Sequence, residues 1–441
     1  MSPDSINVIK RNGRGTEPLN LQKIHEMVEH ACKDLTGVSE SQVEMSSGIQ
    51  FFDKISTDEI QQILIKSASD LITLENPNYQ YVAARLLLFS LRKSLHHRLW
   101  EHPPLLEHVK KCIDKGVYDK EILVWYTDEE IEEMNTMIKH ERDYLFSYAG
   151  LRQVLDKYLV QDRSSGQIFE TPQFMYIMIA ATLFRGYPID KRLNYVRKYY
   201  NAISQHLINI PTPVMAGVRT PLRQFSSCVL VDSDDTLPSI FSSDMAIGRY
   251  VAQRAGIGIN AGRIRGINSR IRGGEVQHTG VVPFLKKFEA TVKCCTQNGV
   301  RGGSATVHFP IWHQEIEDII VLKNNKGTED NRVRKLDYSI QLSELFYKRF
   351  LNNEEITLFS PHDVPGLYDV FLQILKERAE TGRIYIMNID HSNTHSSFKD
   401  VVRMSNLCQE ITLPTDPLQH IDGEGEIALC ILSAINLGQI K

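Results

Sequence analysis

The chain has 441 residues, 42% of them hydrophobic, and a formal net charge of −4. That length predicts about three domains with ample buried core, and the weakly acidic balance excludes a general nucleic-acid binder while leaving local anion sites open. No apolar run reaches the ~20 residues of a membrane helix, the N-terminus has no signal-peptide core, and seven cysteines without framework spacing suit a reducing, cytoplasmic setting.

Residues 1–96 read as a small module. Asn12-Gly13 is a hairpin-turn signal joining a strand over Ile6 to Arg11 to a second short strand. Leu21 to Val28 places apolar residues at helical spacing. Ser56-Thr57-Asp58-Glu59 has the pattern of a capping box opening a second helix through Leu71, and Tyr79 to Leu95 makes a third. Residues 97–218 stay helical in pattern, with starts near Thr127-Asp128 and Thr171-Pro172, and the run from Phe174 to Phe184 reads as a buried helix. From 219 onward, β-prone runs at Cys228–Val231, Tyr338–Leu342, Ile356–Phe359 and Arg383–Met387 alternate with helical stretches such as Ser343 to Leu351. Alternation of this kind predicts an α/β fold with a parallel sheet.

The chemistry concentrates in Ser405-Asn406-Leu407-Cys408-Gln409-Glu410. In extended backbone, residues two apart share a face, so Asn406, Cys408 and Glu410 would line up an amide, a thiol and a carboxylate. Such a set can hold a polyhydroxylated substrate, attack it at sulfur and move a proton. Cys228 and Cys430 supply two further thiols. An isolated cysteine is by default a small buried hydrophobe, and an isolated Glu410 a solvated residue. Two stretches, 262–274 and 297–303, mix arginine with glycine; glycine lets backbone N–H groups approach phosphate and arginine adds bidentate charge. Taken alone they are ordinary exposed loops. Cys294-Cys295 has no metal-ligand companions, so no zinc site and no tightly bound metal is expected.

Val8 to Gly13, Pro211-Thr212-Pro213, Arg223 to Cys228, Gln253 to Gly258, Asn298 to Gly303, Leu358 to Tyr368 and Ser405 to Glu410, in this order and spacing, resemble the large subunit of class I (aerobic) ribonucleotide reductase. The resemblance implies an ATP-cone nucleotide-sensing module over 1–96, a helical domain over 97–218 and, over 219–441, the first part of a ten-stranded α/β barrel with a radical-cysteine finger loop. It implies that Cys408 becomes a thiyl radical that removes the ribose 3′-hydrogen, that Glu410 takes the 3′-hydroxyl proton and that Asn406 orients the sugar. Cys228 and Cys430 would deliver two electrons and end as a disulfide, which requires that they meet in the fold. Thr212, Ser227 and Arg301 match substrate contacts. Asp235, Leu237, Arg265 and Ile271 match the effector contacts of the specificity site, and Lys10, Glu17, Asn20, Thr57 and Lys93 those of the ATP-cone; the implied effectors are ATP and dNTPs with Mg2+. Cys32, Cys112, Cys294 and Cys295 match no catalytic position and read as packing residues.

Two departures stand out. Gln61 and Ser90 occupy positions where bacterial members carry histidine, which puts a dATP off-switch in doubt. The passage after Asp369 lacks about one helix-sized insertion, so a trimmed surface element is expected. The family's diphosphate-gripping loop, radical-relay tyrosines and C-terminal reloading cysteines lie past Lys441. The expectation is therefore the N-terminal part of a ribonucleoside-diphosphate reductase large subunit that acts on a ribonucleoside diphosphate. It would assemble with a separate C-terminal chain, with a second copy as a dimer, and with a radical-generating small subunit holding a diiron-tyrosyl cofactor; thioredoxin or glutaredoxin would serve as reductant. The other reading is a non-catalytic nucleotide-binding regulator of a full-length reductase, disfavoured because Cys228, Asn406, Cys408, Glu410 and Cys430 are all present.

Overall fold

The computed structural model describes residues 6–10, 15–48, 50–296, 302–355 and 367–439. The expected turn at Asn12-Gly13, the strand at Ile356–Phe359, the second Gly-rich loop up to Arg301 and most of the Leu358–Tyr368 segment lie outside them. The chain divides into two units, one of Met1–Ile210 with Val214–Arg223 and Ser433–Lys441, the other of Pro211–Pro213 with Gln224–Leu432.

In the first unit β1 (Asn7–Ile9) pairs antiparallel with β2 (Thr16–Pro18) and parallel with β3 (Ile55–Ser56). Helix α1 (Leu21–Cys32) starts where the Asn20 side chain accepts from the Lys23 amide, and buries Ile24, Met27, Val28 and Ala31 along one stripe. Helix α2 (Glu40–Gly48) was not expected. Its serine-rich sequence has no apolar stripe and it buries only Val43 and Ser47. Helix α3 (Thr57–Asp70) opens on the expected capping box between Ser56 and Glu59. Helix α4 (Tyr79–His96) ends at His97 in the left-handed conformation, φ 59°. The helical part continues with α5 (Leu105–Asp114), α6 (Asp128–Met137), which a second capping box between Thr127 and Glu130 opens, α7 (Pro172–Phe184) and α8 (Ile189–Ser204). Helix α7 is buried continuously from Pro172 to Thr182, the outcome its unbroken apolar run predicts.

The second unit is built on a six-stranded sheet. Its strands are β4 (Cys228–Asp232), β5 (Gly256–Asn260), β6 (Ala305–Pro310), β7 (Asp337–Leu342), β8 (Ile384–Asn388) and β9 (Ala428–Cys430), in spatial order β8-β7-β6-β5-β4-β9. The first five run parallel, and β9 closes on β4 antiparallel. Helices α9 (Leu237–Ala252), α10 (Val282–Cys294), α11 (Glu344–Leu351) and α12 (Leu367–Thr381) come between strands, as parallel connections require. One face of the sheet sends Val229, Val231, Ile257, Ile259, Val307, Phe309, Ile340 and Ile384 into the hydrophobic core. Alternation leaves the other face largely polar, with Cys228, Asp232, Gly258, Asn260, Thr306, His308, Ser339, Gln341 and Tyr385, apart from Leu230, which packs with Met404 and Ala428. That second face positions the chemistry.

Candidate active site

Residues 406–410 are not extended. The Ser405 hydroxyl donates to the Ile411 carbonyl at 2.6 Å and the Ile411 amide donates to Asn406 Oδ1 at 3.1 Å, closing the segment into a loop. Gln409 takes φ 67°, which reverses the chain. Period-two alternation therefore fails here, and Asn406, Cys408 and Glu410 do not share a strand face.

Side chains from the polar sheet face hold the loop. Thr306 Oγ1 donates to the Leu407 carbonyl at 2.6 Å, Ser339 Oγ to Gln409 Oε1 at 2.9 Å, and Gln341 Nε2 to the Arg403 carbonyl at 2.5 Å. Gln409 Nε2 in turn donates to the Ile386 carbonyl at 2.8 Å. The loop lies so close to β5 that a Cβ on Gly258 would meet the Ser405 carbonyl oxygen at 2.0 Å, so only glycine fits. His308 lies beneath the loop, fully buried, and burial lowers its pKa to about 4.

Two of the three thiols meet across a strand pair, and the loop that carries the third contacts them through Asn406 and Glu410. Cys430 sits directly opposite Cys228 across the β9–β4 pair. Opposed residues in such a pair have Cα atoms ~4.5–5.5 Å apart, inside the range a disulfide bridges; both thiols are free here. Asn406 Nδ2 donates to Cys228 Sγ at 3.3 Å, Glu410 Oε1 lies 4.0 Å from the same sulfur, and the Ser227 hydroxyl 3.7 Å. Cys228 is buried and Cys430 half-buried. Burial, then the neighbouring Cys228 and Glu410, push the Cys430 thiol up, so it holds its proton. Cys408 and Glu410 are exposed. The arrangement offers one accessible thiol, an adjacent carboxylate and an apposed thiol pair able to give up two electrons and two protons. At the far end of β4, Asp232 is buried, accepts from Asn260 Nδ2 at 2.8 Å and lies 3.6 Å from Arg263; burial raises its pKa to about 6.

Of the positions expected at the specificity site, Asp235 and Arg265 come together. Asp235 accepts from the Arg265 amide at 2.8 Å and from Arg265 Nε at 2.6 Å, and Arg265 Nη1 donates to the Arg270 carbonyl at 3.2 Å. Ile271 pairs with Val276 in a two-stranded ribbon, and Leu237, 56% exposed, starts α9. Thr212 opens the short helix Thr212–Gly217, and among the described residues no hydrogen bond ties it to the thiols. In the N-terminal module Glu17 bonds Lys10 at 2.9 Å and Lys23 at 3.6 Å; Lys10 first of all holds the Glu17 carboxyl below its usual range. Asn20 caps α1, Thr57 begins α3 beside β1, and the Lys93 ammonium lies 4.0 Å from Met27 Sδ. Gln61 is buried with its amide donating to the Leu86 carbonyl at 2.9 Å. Cys32 and Cys112 are buried thiols raised to about 12, consistent with packing, but Cys294 is exposed because it ends α10, which corrects its reading as a packing residue.

Sequence reasoning missed Gly258, Thr306, Ser339 and Gln409. The available signal was polar residues alternating with Ile, Val and Phe inside strands, which marks a buried polar face.

Three family models match the chain: ATP cone domain over residues 6–94, ribonucleotide reductase all-alpha domain over 144–223, and ribonucleotide reductase barrel domain over 226–441. The ribonucleoside-diphosphate reductase subunit alpha of Haemophilus influenzae is 51% identical over 472 residues, covering 99% of this chain and 62% of that protein. The corresponding subunit 1 alpha of Escherichia coli is 52% identical, covering 93% of this chain and 58% of its own. That of enterobacteria phage T4 is 44% identical, covering 98% and 61%.

The chain belongs to the class I ribonucleotide reductase large-subunit family. It spans about 62% of the length of the H. influenzae relative. Within this oxidoreductase family the six strands fall in the barrel domain, and the β1–β3 sheet with α1–α4 falls in the ATP cone, a nucleotide-binding module. Among the described residues no helix is long and apolar enough to cross a membrane.

Proposed function

We propose that this chain carries the thiol chemistry of a ribonucleoside-diphosphate reductase and works with the part of the large subunit absent from this sequence and with a radical-generating small subunit. The single observation that carries this reading is the cross-strand register of Cys430 with Cys228, beneath a loop that presents Cys408 and Glu410.

The small subunit oxidises Cys408 by one electron and one proton. The Cys408 thiyl then takes the 3′-hydrogen of a bound ribonucleotide, forming its S–H bond and leaving a carbon radical. Glu410 takes the 3′-hydroxyl proton, and the 2′-hydroxyl leaves as water with a proton from the thiol pair. Cys228 and Cys430 supply two electrons and two hydrogens, one leaving in the water and the other going to C2′, and become a disulfide, while Glu410 returns its proton to the 3′-oxygen. Cys408 returns its hydrogen to C3′. Asn406, bonded to Cys228 and to the loop backbone, keeps the loop in register with the thiol pair. The pair is then reloaded by a dithiol protein of the thioredoxin or glutaredoxin kind. Asp235, Leu237, Arg265 and Ile271 bind an effector deoxynucleotide, and Lys10, Glu17, Asn20, Thr57 and Lys93 bind ATP.

CDP reduction tests this. The isolated chain is silent, and activity appears on adding a polypeptide carrying the remaining large-subunit residues plus the small subunit. Activity from the isolated chain, or none from the full mixture, contradicts the reading.

A further inference from the structure

Gln409 stands between Cys408 and Glu410, and its side-chain amide is anchored at both ends. Ser339 Oγ of β7 donates to Gln409 Oε1 at 2.9 Å, and Gln409 Nε2 donates to the Ile386 carbonyl of β8 at 2.8 Å. These strands are neighbours, with Ser339 opposite Tyr385 and Ile340 opposite Ile386, so one amide spans both. A carbonyl oxygen only accepts, whereas a serine hydroxyl can donate. One orientation of the amide therefore satisfies both partners, and the flipped one would set two oxygens against each other. The Gln409 backbone takes φ 67°, a left-handed conformation uncommon outside glycine. A side chain bonded to two strands holds the chain in that turn. None of the reaction steps above uses Gln409.

We propose that Gln409 is a positioning residue for the reductase chemistry: its amide, clamped between β7 and β8, fixes the turn that sets the spacing of Cys408 and Glu410. This rests on the function proposed above, in which the thiyl takes the 3′-hydrogen and the carboxylate takes the proton of the 3′-hydroxyl. Two groups that act on one carbon and its oxygen need a fixed separation, and a misplacement of ~1 Å costs up to about a hundredfold in rate. The residue between them controls that separation, and the strands beneath control the residue.

Gln409→Leu keeps the reach of the side chain and removes both bonds, and two measurements read its effect. In the isolated chain, the Ile411 amide, which closes the loop onto Asn406, exchanges its hydrogen about tenfold faster, while the amides of β5 and β6 in the same sheet are unchanged and report an intact fold. In the assembled enzyme kcat falls about tenfold with KM for CDP nearly constant. Ser339→Ala lowers kcat about threefold, and the double variant is no worse than Gln409→Leu alone, because both act through one clamp. Unchanged loop exchange, a kcat within about twofold of the parent, a KM that rises as far as kcat falls, or full additivity of the two substitutions each overturns the role of Gln409. Cys408→Ser runs alongside. If it also turns over, the proposed function itself fails; if it is dead while Gln409→Leu is normal, only the present inference does.

Discussion

Cys228 and Cys430 meet because β9 runs antiparallel against the first strand of a parallel sheet, and this one register brings together thiols 202 positions apart. A shift of one residue would turn Cys430 to the other face. Asp232, at the other end of the same strand, shows the cost of a polar interior. Its folded pKa of about 6 lies above the ordinary ~3.9, so folding favours the protonated acid. Its contribution is therefore neutral below the unfolded value and becomes a penalty as pH rises from about 4 to about 6, complete above that and on the order of 3 kcal/mol at pH 8. Asp232→Asn keeps an acceptor for Asn260 and removes the buried charge. Thermal unfolding should show the variant a few degrees more stable at pH 8, with the gap narrowing at pH 5. A variant equally destabilised at both pH values would mean that Arg263 fully compensates the charge. At this scale the sequence disclosed the residue types of the site, but not their geometry. Alternation misassigned Asn406, Cys408 and Glu410 because two side chain–backbone bonds within the loop, a third from Thr306 of β6 and a left-handed Gln409 override local extended preference.

At the scale of elements, the finger loop depends on the strands beneath it. Gly258 is the tightest point, and Gly258→Ala would force a methyl group onto the Ser405 carbonyl. The loop must move, at a cost of roughly 1–3 kcal/mol. The prediction is a folded chain in which Cys228 becomes alkylatable, since its cover by Asn406 is lost, and in which reductase activity of the assembled enzyme falls by at least tenfold, about 1.4 kcal/mol in barrier. Unchanged protection of Cys228 with full activity would show that the loop tolerates the displacement. Helices with caps and apolar stripes, α3 and α6 above all, were legible in the sequence. Strands β5 and β6 were not named as strands, because Gly256 and Gly258 dilute β-propensity and His308 interrupts an apolar run. Helix α2 was missed because its packing, and no stripe of its own, keeps it helical.

At the scale of the molecule, the chain joins a nucleotide-binding module, a helical region and a six-stranded sheet within the barrel-domain match. The Asp235–Arg265 pair belongs to the sheet unit and the Lys10–Glu17 pair to the other, so two effector classes should separate physically. Removing residues 1–96 should leave dTTP binding intact in equilibrium dialysis and abolish a second class of ATP site; loss of dTTP binding with the fold preserved would contradict the two-site assignment. Gln61 is buried with its amide donating to the Leu86 carbonyl, so it offers no ring to stack on a base and no exposed donor to a phosphate. dATP titrated into the assembled enzyme should therefore inhibit weakly or not at all, and strong inhibition at low micromolar dATP would overturn this. The onset of alternating strands and helices after residue 219 was legible, whereas the antiparallel closure of β9, a pairing across two hundred residues, has no local signature.

The central claim is that Cys408 starts the reaction and Cys228 with Cys430 pays for it in electrons. A single turnover measures this most directly. The pre-reduced assembled enzyme, with the C-terminal cysteines of the complementary polypeptide replaced by serine, is mixed with CDP and no external reductant, and dCDP and disulfides are quantified together. The account predicts dCDP in equal amount to a Cys228–Cys430 disulfide, and neither product with Cys408→Ser. dCDP formed while Cys228 and Cys430 stay reduced, or formed by the Cys408→Ser enzyme, would contradict it.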